Sequence, residues 1–135
     1  MYNERSSYSL VFLISRTRPK KNGECPIFLK ININGDKTRF PVKRHVLPQK
    51  WDSKRTRMKG RTKEAEVFNN YLEAIKLRAN KMYNEAKAID PTYAPSYRLN
   101  AELFMMFGKN KKAIENWEKY LELNNNLESR YRYAN

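Results

Sequence analysis

The chain has 135 residues, 28 Lys plus Arg against 14 Asp plus Glu, and a formal net charge of +14 with 40% hydrophobic and 13% aromatic residues. That composition supports a packed core and excludes wholesale disorder, while the length fits one ordinary domain or two very small ones. A single cysteine (Cys25) and a single histidine (His45) exclude an internal disulfide, a Cys/His zinc site and most histidine-based acid/base schemes, so a non-enzyme with no cofactor and no metal is expected.

The charge is unevenly placed. Residues 1–63 hold 17 basic and 4 acidic side chains, a net of +13, whereas residues 64–135 hold 11 and 10, a net of +1. Such asymmetry predicts a first part built for a polyanion and an electrostatically ordinary second part. The longest apolar run, Leu10 to Ile14, is too short for a membrane span or a signal sequence, so a cytoplasmic protein with no membrane partner is expected.

In chain order, Tyr8 to Ser15 reads as a first strand, closed by the turn-rich Arg18-Pro19-Lys20-Lys21-Asn22-Gly23. Cys25 before Pro26 reads as a small structural hydrophobe. Pro26 to Ile33 alternates strictly, with Ile27, Leu29, Ile31 and Ile33 on one face and Phe28, Lys30 and Asn32 on the other. Asn34-Gly35 then predicts a two-residue type I′ hairpin into a third strand, Lys37 to Val42. This turn fixes the register: Lys30 faces Arg39, Asn32 faces Lys37 and Leu29 faces Phe40. Like charges directly opposite cost up to about 1 kcal/mol, which either a solubilising role or a phosphate backbone would explain. His45, in the run Lys43-Arg44-His45, reads as solvated or phosphate-facing.

Arg16, Arg18, Lys20 and Lys21 crowd the first turn, and Lys54, Arg55, Arg57, Lys59, Arg61 and Lys63 fill an acid-free segment from 53 to 63. Two basic flanks around a basic β-face fit a duplex: a strand ribbon enters the major groove while the flanks meet phosphates. In that geometry Asn32 suits an adenine edge and Arg39 or Lys30 a guanine edge.

The run from Leu10 through Cys25-Pro26-Ile27-Phe28-Leu29-Lys30-Ile31, Asn34-Gly35, Trp51-Asp52 and Phe68-Asn69-Asn70-Tyr71-Leu72 resembles the arm-type DNA-binding domain of bacterial tyrosine recombinases, the integrases of mobile elements, over about residues 8–85. The resemblance implies a three-stranded antiparallel sheet laid in the major groove and backed by a helix, with base contacts from Lys30, Asn32, Lys37 and Arg39. It also implies a place in DNA integration and recombination, and a bacterial, nucleoid-associated location. Strand cleavage is not implied, because the catalytic set of a full integrase, including its histidines, is not matched here.

Further on, Thr62 is an N-cap with Glu64 and Glu66 in the first turn. Phe68, Tyr71, Leu72, Ile75, Ala79, Met82, Tyr83 and Ala86 form the apolar stripe of one long helix to about Ile89, ended by Asp90-Pro91. An offset of 34 then relates Ala79 to Ala113, Tyr83 to Trp117, Ala86 to Tyr120 and Tyr97-Arg98 to Tyr131-Arg132. The stretch Ala94 to Asn125 resembles a tetratricopeptide repeat, with Tyr97, Ala101 and Phe104 on a first helix, Gly108 at the turn, and Ala113, Trp117 and Tyr120 on a second. It departs from that pattern at Asn100, where Leu is usual, and Asn125, where Pro is usual. Ser129 to Asn135 reads as the start of a further repeat.

The expected architecture is therefore α+β: an arm-like domain (1–88) with a three-stranded antiparallel sheet on a long helix, then a helical hairpin of tetratricopeptide type (89–135). The expected function is non-catalytic binding of duplex DNA through Arg16, Arg18, Lys20, Lys30, Asn32, Lys37, Arg39, Lys54, Arg55, Arg57, Lys59 and Arg61. An adaptor that holds a protein or peptide through the helical half, or self-associates weakly there, is the second reading; RNA stacked on Phe28 is the third.

Overall fold

A computed structural model describes residues 7–89 and 95–134. Strands β1 (Tyr8–Ile14), β2 (Cys25–Ile33) and β3 (Asp36–Val46) form an antiparallel sheet in the order β1-β2-β3. The short strands β4 (Trp51–Asp52) and β5 (Arg57–Met58) form a separate hairpin, followed by helices α1 (Lys63–Ile89), α2 (Pro95–Met106) and α3 (Asn110–Ala134). The chain divides into two compact units, Met1–Arg78 and Ala79–Asn135, with the boundary inside α1.

In the first unit the hairpin register is the one the Asn34-Gly35 turn dictates: Ile33 faces Asp36, Asn32 faces Lys37, Lys30 faces Arg39 and Leu29 faces Phe40. Asn34 (φ 52°) and Gly35 (φ 92°) both take the left-handed conformation of a type I′ turn. The Asn34 side chain also accepts from Ser7 N at 2.8 Å, and its own N–H donates to Ser7 O at 2.9 Å, so the turn holds the start of β1 as well. β1 lies along β2 with Leu10 facing Ile31, Phe12 facing Leu29 and Ile14 facing Ile27. Alternation then gives an inner face of Ile27, Leu29, Ile31, Phe40 and Val42, each at most 1% exposed. Full burial of such side chains stabilises by roughly 1.5–3 kcal/mol apiece.

β3 runs four residues beyond the Val42 expected from alternation. A bulge explains the difference: Phe28 faces Pro41 and Pro26 faces His45, so Val42, Lys43 and Arg44 stand opposite Ile27 alone, with Lys43 left-handed (φ 63°). Two extra residues keep the parity of the strand, returning Val46 to the core at 1% exposure. Arg44 resolves its inward parity by lying over the Tyr71 ring of α1, 4.1 Å from the centroid. The Tyr71 hydroxyl donates to Val42 O at 3.3 Å, which fixes the helix to the same strand.

α1 begins as its cap residue requires. Thr62 Oγ1 accepts from Ala65 N at 3.1 Å, and Glu66 N donates to Thr62 O at 3.0 Å. Ala65, Leu72 and Ile75 are its buried positions up to Arg78, with Phe68 and Tyr71 half-buried beside them.

The second unit contains the end of α1, with Ala79, Tyr83 and Ala86 buried, and the packed pair α2–α3. The stretch Asp90 to Ala94, where the helix-ending Asp90-Pro91 falls, lies outside the described residues. α2 ends in a Schellman turn: Lys109 N donates to Phe104 O (2.7 Å), Gly108 N donates to Met105 O (3.0 Å), and Gly108 supplies the left-handed φ of 75°. Ala101, Phe104 and Ala113 are buried, and Trp117 meets Tyr120 edge-on at 5.8 Å. Leu99 and Leu103, which the spacing did not single out, are fully buried. α3 continues unbroken to Ala134, so no new helix starts at Ser129. Asn125 stands where a proline would have broken the helix, and asparagine does not break it.

Candidate nucleic-acid interface

Because β2 alternates, the sheet's outer face is fixed once its inner face is buried. The register gives three rows across the strands: Ser9, Asn32 and Lys37 nearest the Asn34-Gly35 turn; then Val11, Lys30 and Arg39; then Leu13, Phe28 and Pro41. None of these positions is acidic. Charge and amide groups lie toward the turn, apolar side chains toward the other end.

Two side chains on this face are already engaged. The Arg39 guanidinium sits 4.9 Å from the centroid of the Phe28 ring, a diagonal neighbour across the hairpin. Such a contact is worth about 0.5–1 kcal/mol at an exposed site, enough to offset the repulsion of the Lys30–Arg39 pair. The face therefore tolerates its own charge, and among the described residues no carboxylate forms an ion pair with Lys30, Lys37 or Arg39. Asn32 Oδ1 accepts from Gly35 N at 3.0 Å, which ties the amide to the turn and leaves its NH2 as the outward donor. Sequence spacing alone does not reveal either contact.

At the far end of the sheet, the β1–β2 loop is closed by Ser15 N to Pro26 O (3.0 Å), Lys20 N to Glu24 O (2.8 Å) and Gly23 N to Lys20 O (2.8 Å), with the Asn22 amide donating to Glu24 at 2.7 Å. Arg16, Arg18, Lys20 and Lys21 are exposed on it. His45 is half-buried opposite Pro26. Cys25 is buried with a free thiol.

The basic segment from 53 to 63 is not a plain tether. Trp51 faces Met58 and Asp52 faces Arg57, and both apolar partners are buried. Asp52 Oδ1 accepts from Lys54 N and Arg55 N, each at 3.0 Å, and folds the tip into an Asx turn. These backbone donors, with the Arg55 and Lys59 charges behind them, hold the Asp52 carboxyl below the ordinary 3.8 against the opposing effect of desolvation. Thr56 is left-handed (φ 53°), and Lys59 N donates to Lys50 O at 2.7 Å. The hairpin is then locked to α1 by one side chain: Asn69 Oδ1 accepts from Met58 N at 2.8 Å while its Nδ2 donates to Met58 O at 3.0 Å. Asn69 lies three residues before Leu72 on the buried side of the helix, and a polar residue in that stripe was the available signal for such a clamp. Lys50 adds an exposed ion pair with Glu64 at 3.4 Å.

The expected contact residues thus fall in two places. Lys30, Asn32, Lys37 and Arg39 share the outer face, and Arg16, Arg18 and Lys20 lie on the loop at one end of it. Arg55 and Arg57 instead border a cleft with Phe12 and the Asn69–Lys76 stretch of α1, on the helix side of the sheet. Lys54, Lys59 and Arg61 are exposed on or after the hairpin.

Among the described residues no group of His, Cys, Asp or Glu side chains is placed to hold a metal ion, and no helix is long and apolar enough to cross a membrane. No curated protein and no solved structure matches the chain. The sequence model of one family, described as Arm DNA-binding domain, matches residues 12–103, from within β1 through α1 and well into α2. With two thirds of its length matched, the chain belongs to the Arm DNA-binding domain family.

Proposed function

We propose that this protein is a non-catalytic duplex-DNA-binding module of a site-specific recombination system, which lays the outer face of β1–β3 in the major groove. The observation that carries this reading is the acid-free face on which Lys30 and Arg39 are direct cross-strand partners, with Lys37 one row away. A strand ribbon of this width enters the major groove, and Arg39 and Lys30 are the side chains suited to guanine edges. Asn32 contributes donors through its NH2, since its carbonyl is held by the turn. Arg16, Arg18 and Lys20 at the end of the sheet meet phosphates and set the register of the protein on the duplex.

The test is the salt dependence of binding to duplex DNA by fluorescence anisotropy. Neutralising six to eight phosphates gives a slope of log K against log salt of roughly −5 to −7, and a slope shallower than about −2 refutes the reading. Arg39→Ala relaxes sequence preference, whereas loss of a loop cation such as Arg18 weakens all sequences alike.

A second reading takes α2–α3 as a helical hairpin of tetratricopeptide type that serves as a protein adaptor. The buried small residues Ala101 and Ala113 and the half-buried Trp117 support the hairpin, and the exposed Met105, Ile114 and Leu121 favour a protein partner or weak self-association. The unbroken α3 weighs against a second repeat. Co-purification of a partner with the full chain, in the absence of any DNA binding, would select this reading over the first.

A further inference from the structure

The cleft beside the β4–β5 hairpin has a volume of about 360 Å³, and its lining includes Arg55 and Arg57 of the hairpin, Asn70, Glu73 and Lys76 of α1, and Phe12 of β1. Its lining holds three cationic residues and one acidic one. Among the described residues the ion pairs are Lys50–Glu64, Lys63–Glu66 and Arg98–Glu102, so Arg55, Arg57 and Lys76 each lie more than 4.0 Å from the carboxylate oxygens of those residues. Their charges have a fixed frame. Arg55 and Arg57 flank the left-handed Thr56 and sit on a hairpin whose tip is folded by Asp52 and whose base is bolted to α1 by Asn69. Lys76 comes from the helix on the opposite wall, one turn beyond Leu72. Phe12 and Leu72, both buried, supply a low-dielectric floor that strengthens charge interactions above it.

Phe12 belongs to the inner face, and the remaining lining comes from α1 and the hairpin, so this concentration of charge lies on the other side of the sheet from Lys30 and Arg39. We propose that the cleft is a separate oxyanion site that takes a phosphate group. Two guanidinium groups offer planar forks that match phosphate oxygens, Lys76 offers a point charge from across the cleft, and the Asn70 amide offers a neutral donor. The site shares no side chain with the outer face and does not rest on that face reading a groove. Its phosphate comes either from a nucleic-acid backbone or from a free phosphate compound.

Amide NMR of the full chain, titrated with inorganic phosphate against an ionic-strength-matched chloride control, tests the site. The expected result is saturable shifts of the Asn69 and Asn70 side-chain amides and the Lys54–Arg57 backbone amides, abolished in Arg57→Gln/Lys76→Gln and tightened by about threefold in Glu73→Gln. Slow exchange of the Met58 amide in each variant verifies that the hairpin remains docked. Equal shifts with chloride, or shifts that persist in the double variant, overturn the proposal.

Duplex DNA then identifies the source. If the backbone fills the cleft, the double variant lowers the salt slope by about two; if the slope is unchanged while the phosphate shifts are lost, the ligand is a free phosphate compound. The variant Lys30→Ala/Arg39→Ala separates the two sites, because it keeps the phosphate shifts whether or not duplex binding survives.

Discussion

Replacing Asn69 by alanine removes both hydrogen bonds that fasten the β4–β5 hairpin to α1, at 2.8 and 3.0 Å, and leaves the Met58 N–H and C=O without that partner. A protein hydrogen bond contributes about 0.5–1.5 kcal/mol net, and a buried group left unmatched costs more than the average bond lost. Asn69 is only half-buried, so water recovers part of that loss, and the expected cost is about 1–3 kcal/mol. Urea unfolding, followed by Trp51 fluorescence in a Trp117→Phe background, measures it. With an m-value of about 1 kcal/mol/M for a unit this small, the midpoint falls by about 1–3 M. Asn69→Asp is the informative companion: it keeps the acceptor for Met58 N–H but aims a carboxylate oxygen at Met58 O, so it restores little of the stability. Hydrogen exchange at Met58 accelerates in both variants. A change smaller than about 0.5 kcal/mol in Asn69→Ala, with Met58 still protected, would refute the clamp.

Thr62→Ala removes the α1 cap and costs about 1 kcal/mol, read as a lower unfolding midpoint, while Thr62→Asp or Thr62→Ser retains most of it. Gly108→Ala forces a Cβ into a φ of 75° and costs roughly 1–2 kcal/mol, seen as a lower melting temperature with the α2–α3 turn perturbed in NMR spectra. Asp52 has a depressed folded-state pKa, so its contribution to the hairpin is present above the ordinary 3.8 and is lost as pH falls through the lower folded value. Exchange at Lys54 and Arg55 should therefore quicken only in strongly acidic solution, and quickening already near pH 5 would contradict the Asx turn.

The sheet was legible because its determinants are local. Strict alternation from Pro26 to Ile33 and a two-residue turn at Asn34-Gly35 leave one register open, and Leu29, Ile31 and Phe40 occupy it. The helix start at Thr62 and the Gly108 turn were legible for the same reason. The bulge at Lys43 was not, because a left-handed lysine carries no composition signal and the Tyr71 ring that Arg44 meets beside it lies 27 residues further along the chain. The β4–β5 hairpin was hidden differently. Its two-residue strands are too short to show a period, and it owes its order to a side chain on α1. The cations of the candidate interface could be named from the sequence, but their division between two sides of the sheet could not, since that depends on how the hairpin returns to the helix. Leu99 and Leu103 are buried but stand outside the 34-residue offset, so that period carries no mark of them.

The Asn34-Gly35 turn has a kinetic corollary. Its left-handed Asn34 offers a side-chain acceptor to Ser7 N and a backbone donor to Ser7 O only after the turn has formed. The hairpin of β2 and β3 closes over a two-residue loop, the least entropically costly contact in the sheet, whereas β1 must close a loop of ten residues. Both considerations order the assembly: the β2–β3 hairpin nucleates, and β1 adds to an edge already marked at one end by Asn34. Until β1 arrives, the inner-face Leu29 and Ile31 are open along that edge, so the nascent chain is exposed to mispairing in the interval between hairpin closure and β1 docking.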